Sequence, residues 1–183
     1  MNANEAALWA HRAASDLEQV AWVDEHDQVL GSRPRAELRE LGLIGRCTFI
    51  LLFNRQGLLC VHQRTLSKAL YPGYWDVCAG GMVGAGEAYA ASARRELAEE
   101  LGITDALLTD HGGFYYGGPE SRLWCRVYHA VSDAPLRLQP EEVAQARFMS
   151  LEAVAVEQAY TPFCPDSLRA LAHYLTRRKS TAQ

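Results

Sequence analysis

The chain has 183 residues, of which 49% are hydrophobic and 22% charged, with a formal net charge of −4. That length suits one buried core and not two, and 18 basic against 22 acidic residues spread along the sequence offer no basic stripe for a nucleic-acid backbone. No apolar run approaches the roughly 20 residues that span a bilayer, and Met1 to Trp9 lacks the basic-then-apolar order of a signal peptide, so a cytoplasmic protein without membrane partners is expected.

In chain order, Val20-Ala-Trp-Val and Gln28-Val-Leu-Gly flank a turn-rich Asp24-Glu-His-Asp, which predicts an N-terminal β-hairpin over about 18–32. Pro34 opens a short amphipathic stretch, Arg35 to Leu41, closed by Gly42. Cys47 to Phe53 and Leu58 to Gln63 are apolar strand-type runs joined by Asn54-Arg-Gln-Gly, and Tyr74 to Ala79 is a further strand. A glycine-rich turn, Gly80 to Gly86, leads into a helix over Ala88 to Leu101, where Ala, Arg, Glu and Leu dominate and Gly102 supplies the stop. Strands follow at Gly113–Tyr116, Leu123–Val131 and Ala146–Met149. Ser150 with Glu152 starts a short helix, Asp166 to Arg178 forms an amphipathic one, and Lys179 to Gln183 is a tail. Strands interleaved with a few helices predict a single α/β domain over 1–183, with a mixed sheet between helices. The five cysteines (Cys47, Cys60, Cys78, Cys125, Cys164) have no CxxC spacing, which predicts reduced thiols and no zinc.

The chemistry concentrates in residues 81–103. Gly81 is followed after five residues by Glu87, and after seven more by Arg95-Glu96-Leu97-Ala98-Glu99-Glu100-Leu101-Gly102-Ile103. Residues three and four apart share a helix face, so Glu96, Glu99 and Glu100 project as one carboxylate cluster. Such a cluster repels itself unless a cation neutralises it, and all-oxygen ligation suits Mg2+, or alternatively Mn2+. The glycines near Gly81 permit a sharp turn into the helix, where N-terminal amides and a metal together can face phosphate oxygens.

This segment resembles the Nudix box, G-x5-E-x7-R-E-U-x-E-E-x-G-U with U aliphatic, at every specified position. A chance match in a chain this long is on the order of 10⁻⁷ at average residue usage. The resemblance implies the Nudix fold and a hydrolase acting on a diphosphate linkage in a nucleoside diphosphate derivative or similar small molecule. It implies metal ligation at Gly81, Glu96, Glu99 and Glu100, an Arg95 that orients a box carboxylate, and a Glu87 that holds the loop. Upstream, Arg64-Thr-Leu-Ser-Lys68 and Tyr71-Pro-Gly-Tyr-Trp75 are similar to the stretch before the box in type I isopentenyl-diphosphate isomerases, which implies that Arg64 and Lys68 hold the diphosphate. The isomerase cysteine, however, immediately precedes the box glycine, where this chain has Gly80; Cys78 lies two residues too early, a displacement of about 7 Å along a strand. The whole pattern resembles bacterial Nudix hydrolases of the isomerase-like, YfcD-type subgroup.

Glu142, before the strand at Ala146–Met149, is a further expected carboxylate of the site, and the general base is left among Glu99, Glu100 and Glu142. Tyr74, Trp75, Tyr115, Tyr116 and Trp124 are weighed as base-stacking residues against the commoner role of aromatics in strands, which is core packing. The expected partner is a small-molecule diphosphate, with the chain a monomer or homodimer. An isopentenyl-type isomerase and a non-catalytic nucleotide-binding module are the alternatives.

Overall fold

A computed structural model describes residues 3–180, with side chains placed for residues 5–178. The chain runs α1 (Ala3–Leu17), β1 (Gln19–Val23), β2 (Val29–Pro34), α2 (Arg35–Glu40), β3 (Ile44–Phe53), β4 (Leu59–Arg64), β5 (Trp75–Asp76), α3 (Tyr89–Leu101), β6 (Thr109–Gly117), β7 (Arg122–Val131), β8 (Val143–Met149), α4 (Leu151–Glu157) and α5 (Pro165–Ser180).

These strands join in one mixed sheet. β3 is its hub: it runs parallel to β7 from Ile44↔Arg122 to Phe53↔Val131 and antiparallel to β1, while β4 pairs with β5 and β8. β3 is buried on both faces, and its alternation decides which layer each side chain meets. Phe49, Leu51 and Phe53 enter the cluster with Ala170, Leu171 and Tyr174 of α5. Ile50 and Leu52 enter the opposite cluster with Ala93, Leu97 and Leu101 of α3. The result is an α/β sandwich with α3 and α5 on opposite faces of the sheet.

α3 begins one residue later than the sequence predicts, with Ala88 as N-cap, and ends as expected at Gly102, whose left-handed φ of 72° lets its amide reach Ala98. Ser150 caps α4 through a bond from the Ala153 amide. Three expectations need correction. The strand over Tyr74–Ala79 shrinks to Trp75–Asp76, because β4 offers it only the pairs His62↔Asp76 and Gln63↔Trp75 before the chain bends toward the glycine turn. Helix α5 continues to Ser180, so Lys179 is helical; 181–183 of the expected tail lie outside the described residues. Helix α1 was not anticipated at all.

Candidate functional site

The glycine turn and α3 bring the box together through two close approaches. A β-carbon on Gly80 would stand 1.9 Å from the Thr48 carbonyl oxygen, and one on Gly81 would stand 2.5 Å from Glu96 Oε1. Only glycine lets the turn lie against both β3 and the box helix. The Gly80 amide donates to Glu100 Oε2 at 3.0 Å, and the Gly81 carbonyl accepts from the Thr48 amide at 3.0 Å, which leaves that carbonyl one lone pair.

Arg95 organises the carboxylates. Its guanidinium reaches Glu87 Oε1 and Oε2 at 3.0 Å each, Glu96 Oε1 at 2.8 Å and Glu99 Oε2 at 3.1 Å. Glu87 also accepts from the Gly84 amide at 2.9 Å, which pins the turn. Burial works to raise the Glu87 pKa, but the Arg95 bonds and the Gly84 amide together hold it below the usual carboxylate value. Glu96 goes the other way, raised by burial against the pull of Arg95. Glu100 is the extreme member: burial first, and then the charge of Glu96, push it up to about 8.

A cavity of about 390 Å3 lies over this face, walled by Glu96, Glu99, Glu100, Arg95, Lys68 and Glu142, among others. Glu142, one of the expected site residues, therefore shares the cavity with the box carboxylates. Its side chain is only 12% exposed and is held at one oxygen by His11 Nε2 at 2.6 Å and at the other by the Lys68 ammonium. Burial, and next the Arg64 guanidinium, lower the Lys68 pKa to about 7, against the opposing charges of Glu100 and Glu96. Arg64 is placed differently. It lies behind this cavity, ion-paired to Asp76 at 3.2 Å, and lines a second, inner chamber. None of Tyr74, Trp75, Tyr115, Tyr116 and Trp124 lines either space. Trp75 is buried under the Arg147 guanidinium, and Tyr115 meets Trp124 edge-on.

Among the wall residues that escaped the sequence reading are His11 and Ser15 on α1, and Arg35 at the start of α2. Arg35 donates to Ser15 Oγ at 2.9 Å, and Arg39 to Asp16 at 3.3 Å, so α1 is strapped to α2 across the mouth of the site.

A NUDIX domain family model matches residues 44–172. The chain belongs to the Nudix family. It is 67% identical over 166 residues to an uncharacterised Nudix hydrolase of Pseudomonas aeruginosa, covering 91% of this chain and 98% of the relative. It is 36% identical over 166 residues to the Nudix hydrolase YfcD of Escherichia coli, also uncharacterised, covering 91% of each. Among solved structures, a Deinococcus radiodurans protein superposes with a TM-score of 0.72 at 29% identity, covering 88% of this chain and 98% of that one. The YfcD-type resemblance therefore holds, and the chain is a Nudix hydrolase.

The Nudix box suits a divalent cation by its chemistry. Glu96, Glu99 and Glu100 line one cavity with Gly81, beside a turn that only glycine permits, and Glu100 is buried with its charge opposed by that of Glu96 and offset in part by Lys68. Arg95 meanwhile occupies oxygens of Glu96 and Glu99, and among the described residues no three His, Cys, Asp or Glu side chains are already closed around one point. Metal binding would therefore have to redistribute those oxygens. No helix among the described residues is long and apolar enough to cross a membrane.

Proposed function

We propose that this Nudix hydrolase uses Mg2+ to cleave a diphosphate linkage in a nucleoside diphosphate derivative or a similar small molecule. The observation that carries the reading is Glu100, buried beside Glu96 and anchored to the Gly80 amide in a cavity that also contains Lys68. A buried carboxylate pair facing an ammonium is costly in isolation and useful where a cation and a polyanion meet.

Glu96, Glu99, Glu100 and the free lone pair of the Gly81 carbonyl would hold the ion, which when bound neutralises phosphate oxygens and acidifies the attacking water. Arg95 fixes the rotamers of Glu96 and Glu99, and Glu87 fixes Arg95. Lys68 and Arg35 supply positive charge for non-bridging oxygens. The water proton passes to Glu99, Glu100 or Glu142; of these Glu99 is the most open, with half of its side chain exposed. Cys78 is a poor acid for the isomerase alternative, since burial pushes its thiol well above the usual value.

The test is a panel of nucleoside di- and triphosphates, nucleotide sugars and prenyl diphosphates assayed with Mg2+ and with chelator, following phosphate or monophosphate release. Glu99→Gln and Glu100→Gln should each lower kcat at least about a hundredfold with circular dichroism unchanged, because such a site supplies several kcal/mol of charge stabilisation. Near-normal turnover in both variants would remove the box helix from the reaction.

A further inference from the structure

Where α5 meets β6 and β7, away from both cavities, three histidines gather that the catalytic reading does not use. Strand β6 carries an extra residue there: Asp110 stands across from Tyr128 and Gly113 across from Arg126, so His111 and Gly112 share the place opposite Val127. Gly112, at a left-handed φ of 80°, and the Asp110 carboxylate, which accepts from the Gly112 amide at 2.7 Å, shape this bulge. A bulge re-aims the side chains beside it. Here Asp110 reaches Arg126 at 2.7 Å, while His111 turns toward α5 and sets its Nε2 at 2.7 Å from His129 Nδ1.

Helix α5 closes over that pair. Tyr174, only 5% exposed, stands edge-on to His111 with ring centres 4.8 Å apart and lies 5.5 Å from His129, and β3 contributes the Phe53 ring at 5.6 Å from Tyr174. His173 Nε2 donates to the His111 carbonyl at 2.9 Å; a carbonyl only accepts, so that nitrogen carries the proton. The bond between His111 and His129 needs one ring N–H and one lone pair, which a neutral pair supplies. One added proton leaves the bond intact, because an imidazolium still donates to a neutral ring. A second removes the last lone pair and leaves two cations in contact.

The surroundings resist that charge. Burial is the largest influence on both rings, and it holds both below the ordinary value of 6.5. Asp110 favours a charged His111, but it is already paired with Arg126, and His173 of α5 opposes it; Arg178 of α5 and His111 itself oppose charge on His129.

We propose that His111, His129 and His173 form a proton-operated latch that docks the second half of α5 on the sheet at neutral pH and releases it on acidification. Because the folded pair binds protons less readily than free imidazoles do, the stability the latch contributes is complete above about pH 6.5 and is lost as pH falls through the folded values. The helix so held is the one whose first turn places Asp166 in the wall of the inner chamber.

Hydrogen exchange of the full chain, read by mass spectrometry and corrected for intrinsic rates, follows the docking of α5. His129→Gln keeps a polar group beside His111 that takes up no proton. Between about pH 7.5 and about pH 5, protection of the α5 amides should fall at least about tenfold further in wild type than in His129→Gln. An equal fall in the two chains overturns the latch. Imidazole resonances of the wild-type chain give a second reading that needs no variant: His111 and His129 should titrate in two separate steps, the later one well below 6.5. Both rings titrating together at 6.5 would equally overturn it.

Discussion

A single guanidinium, that of Arg95, spreads one positive charge over Glu87, Glu96 and Glu99. The arrangement depends on the missing side chain at Gly81, whose backbone is not in a left-handed conformation and would itself tolerate alanine. Gly81→Ala therefore folds, but its methyl must displace the Glu96 carboxylate. A ligand moved by about an ångström costs on the order of ten- to a hundredfold in kcat. Steady-state assays paired with thermal melts check this, and a variant with ordinary kcat would show that Glu96 need not sit where Gly81 lets it. Gly81, Glu87, Arg95, Glu96, Glu99 and Glu100 were all legible in the sequence, because turn and helix geometry ties their spacing to a shared face. His11 was not. It meets Glu142 across 131 positions of chain, a contact that no local pattern encodes. Asp76 went unread for a similar reason: its value to the site comes from Arg64, which β4 sets opposite it.

Among the elements, the strands and α3 could be anticipated because they carry apolar periods of two and of three to four. Helix α1 could not. None of its described side chains is fully buried; His11, Arg12, Ser15 and Asp16 are half-buried, and the helix is seated by polar contacts to α2 and to Glu142. A reader of hydrophobic stripes sees only an alanine-rich segment there. The strap has a consequence for catalysis, since His11 holds one oxygen of Glu142 and Lys68 the other. His11→Ala should lower kcat by about tenfold, as an unanchored Glu142 lets Lys68 drift, and His11→Gln should recover part of the loss because its amide can still donate. Full turnover in the alanine variant would leave α1 a bystander. The family match begins at residue 44, after this helix, the β1–β2 hairpin and α2.

At the scale of the whole molecule, the buried carboxylates tie folding to pH. Glu100 has a folded pKa of about 8 against an ordinary value of 4.5, so its neutral form is the one the fold prefers. The stability it contributes is complete below about pH 4.5 and is lost as pH rises through about 8. Without metal, the melting temperature of wild type should fall relative to that of Glu100→Gln across that window. Saturating Mg2+ should reverse it, because ligation needs the carboxylate ionised and stabilises only the folded chain. Calorimetry of both chains at several pH values with and without Mg2+ reads this directly, and a metal-free difference between wild type and Glu100→Gln that does not change with pH would contradict the assignment of Glu100.

The five buried thiols lead to a different kind of conclusion. Each is shut away from reagents and raised in pKa where burial dominates, with Cys47, Cys78 and Cys164 standing around the inner chamber. An alkylating or oxidising molecule therefore reacts with the chain only during a brief opening. The modified fraction becomes a clock of those openings, and any molecule that fills the chamber slows the clock.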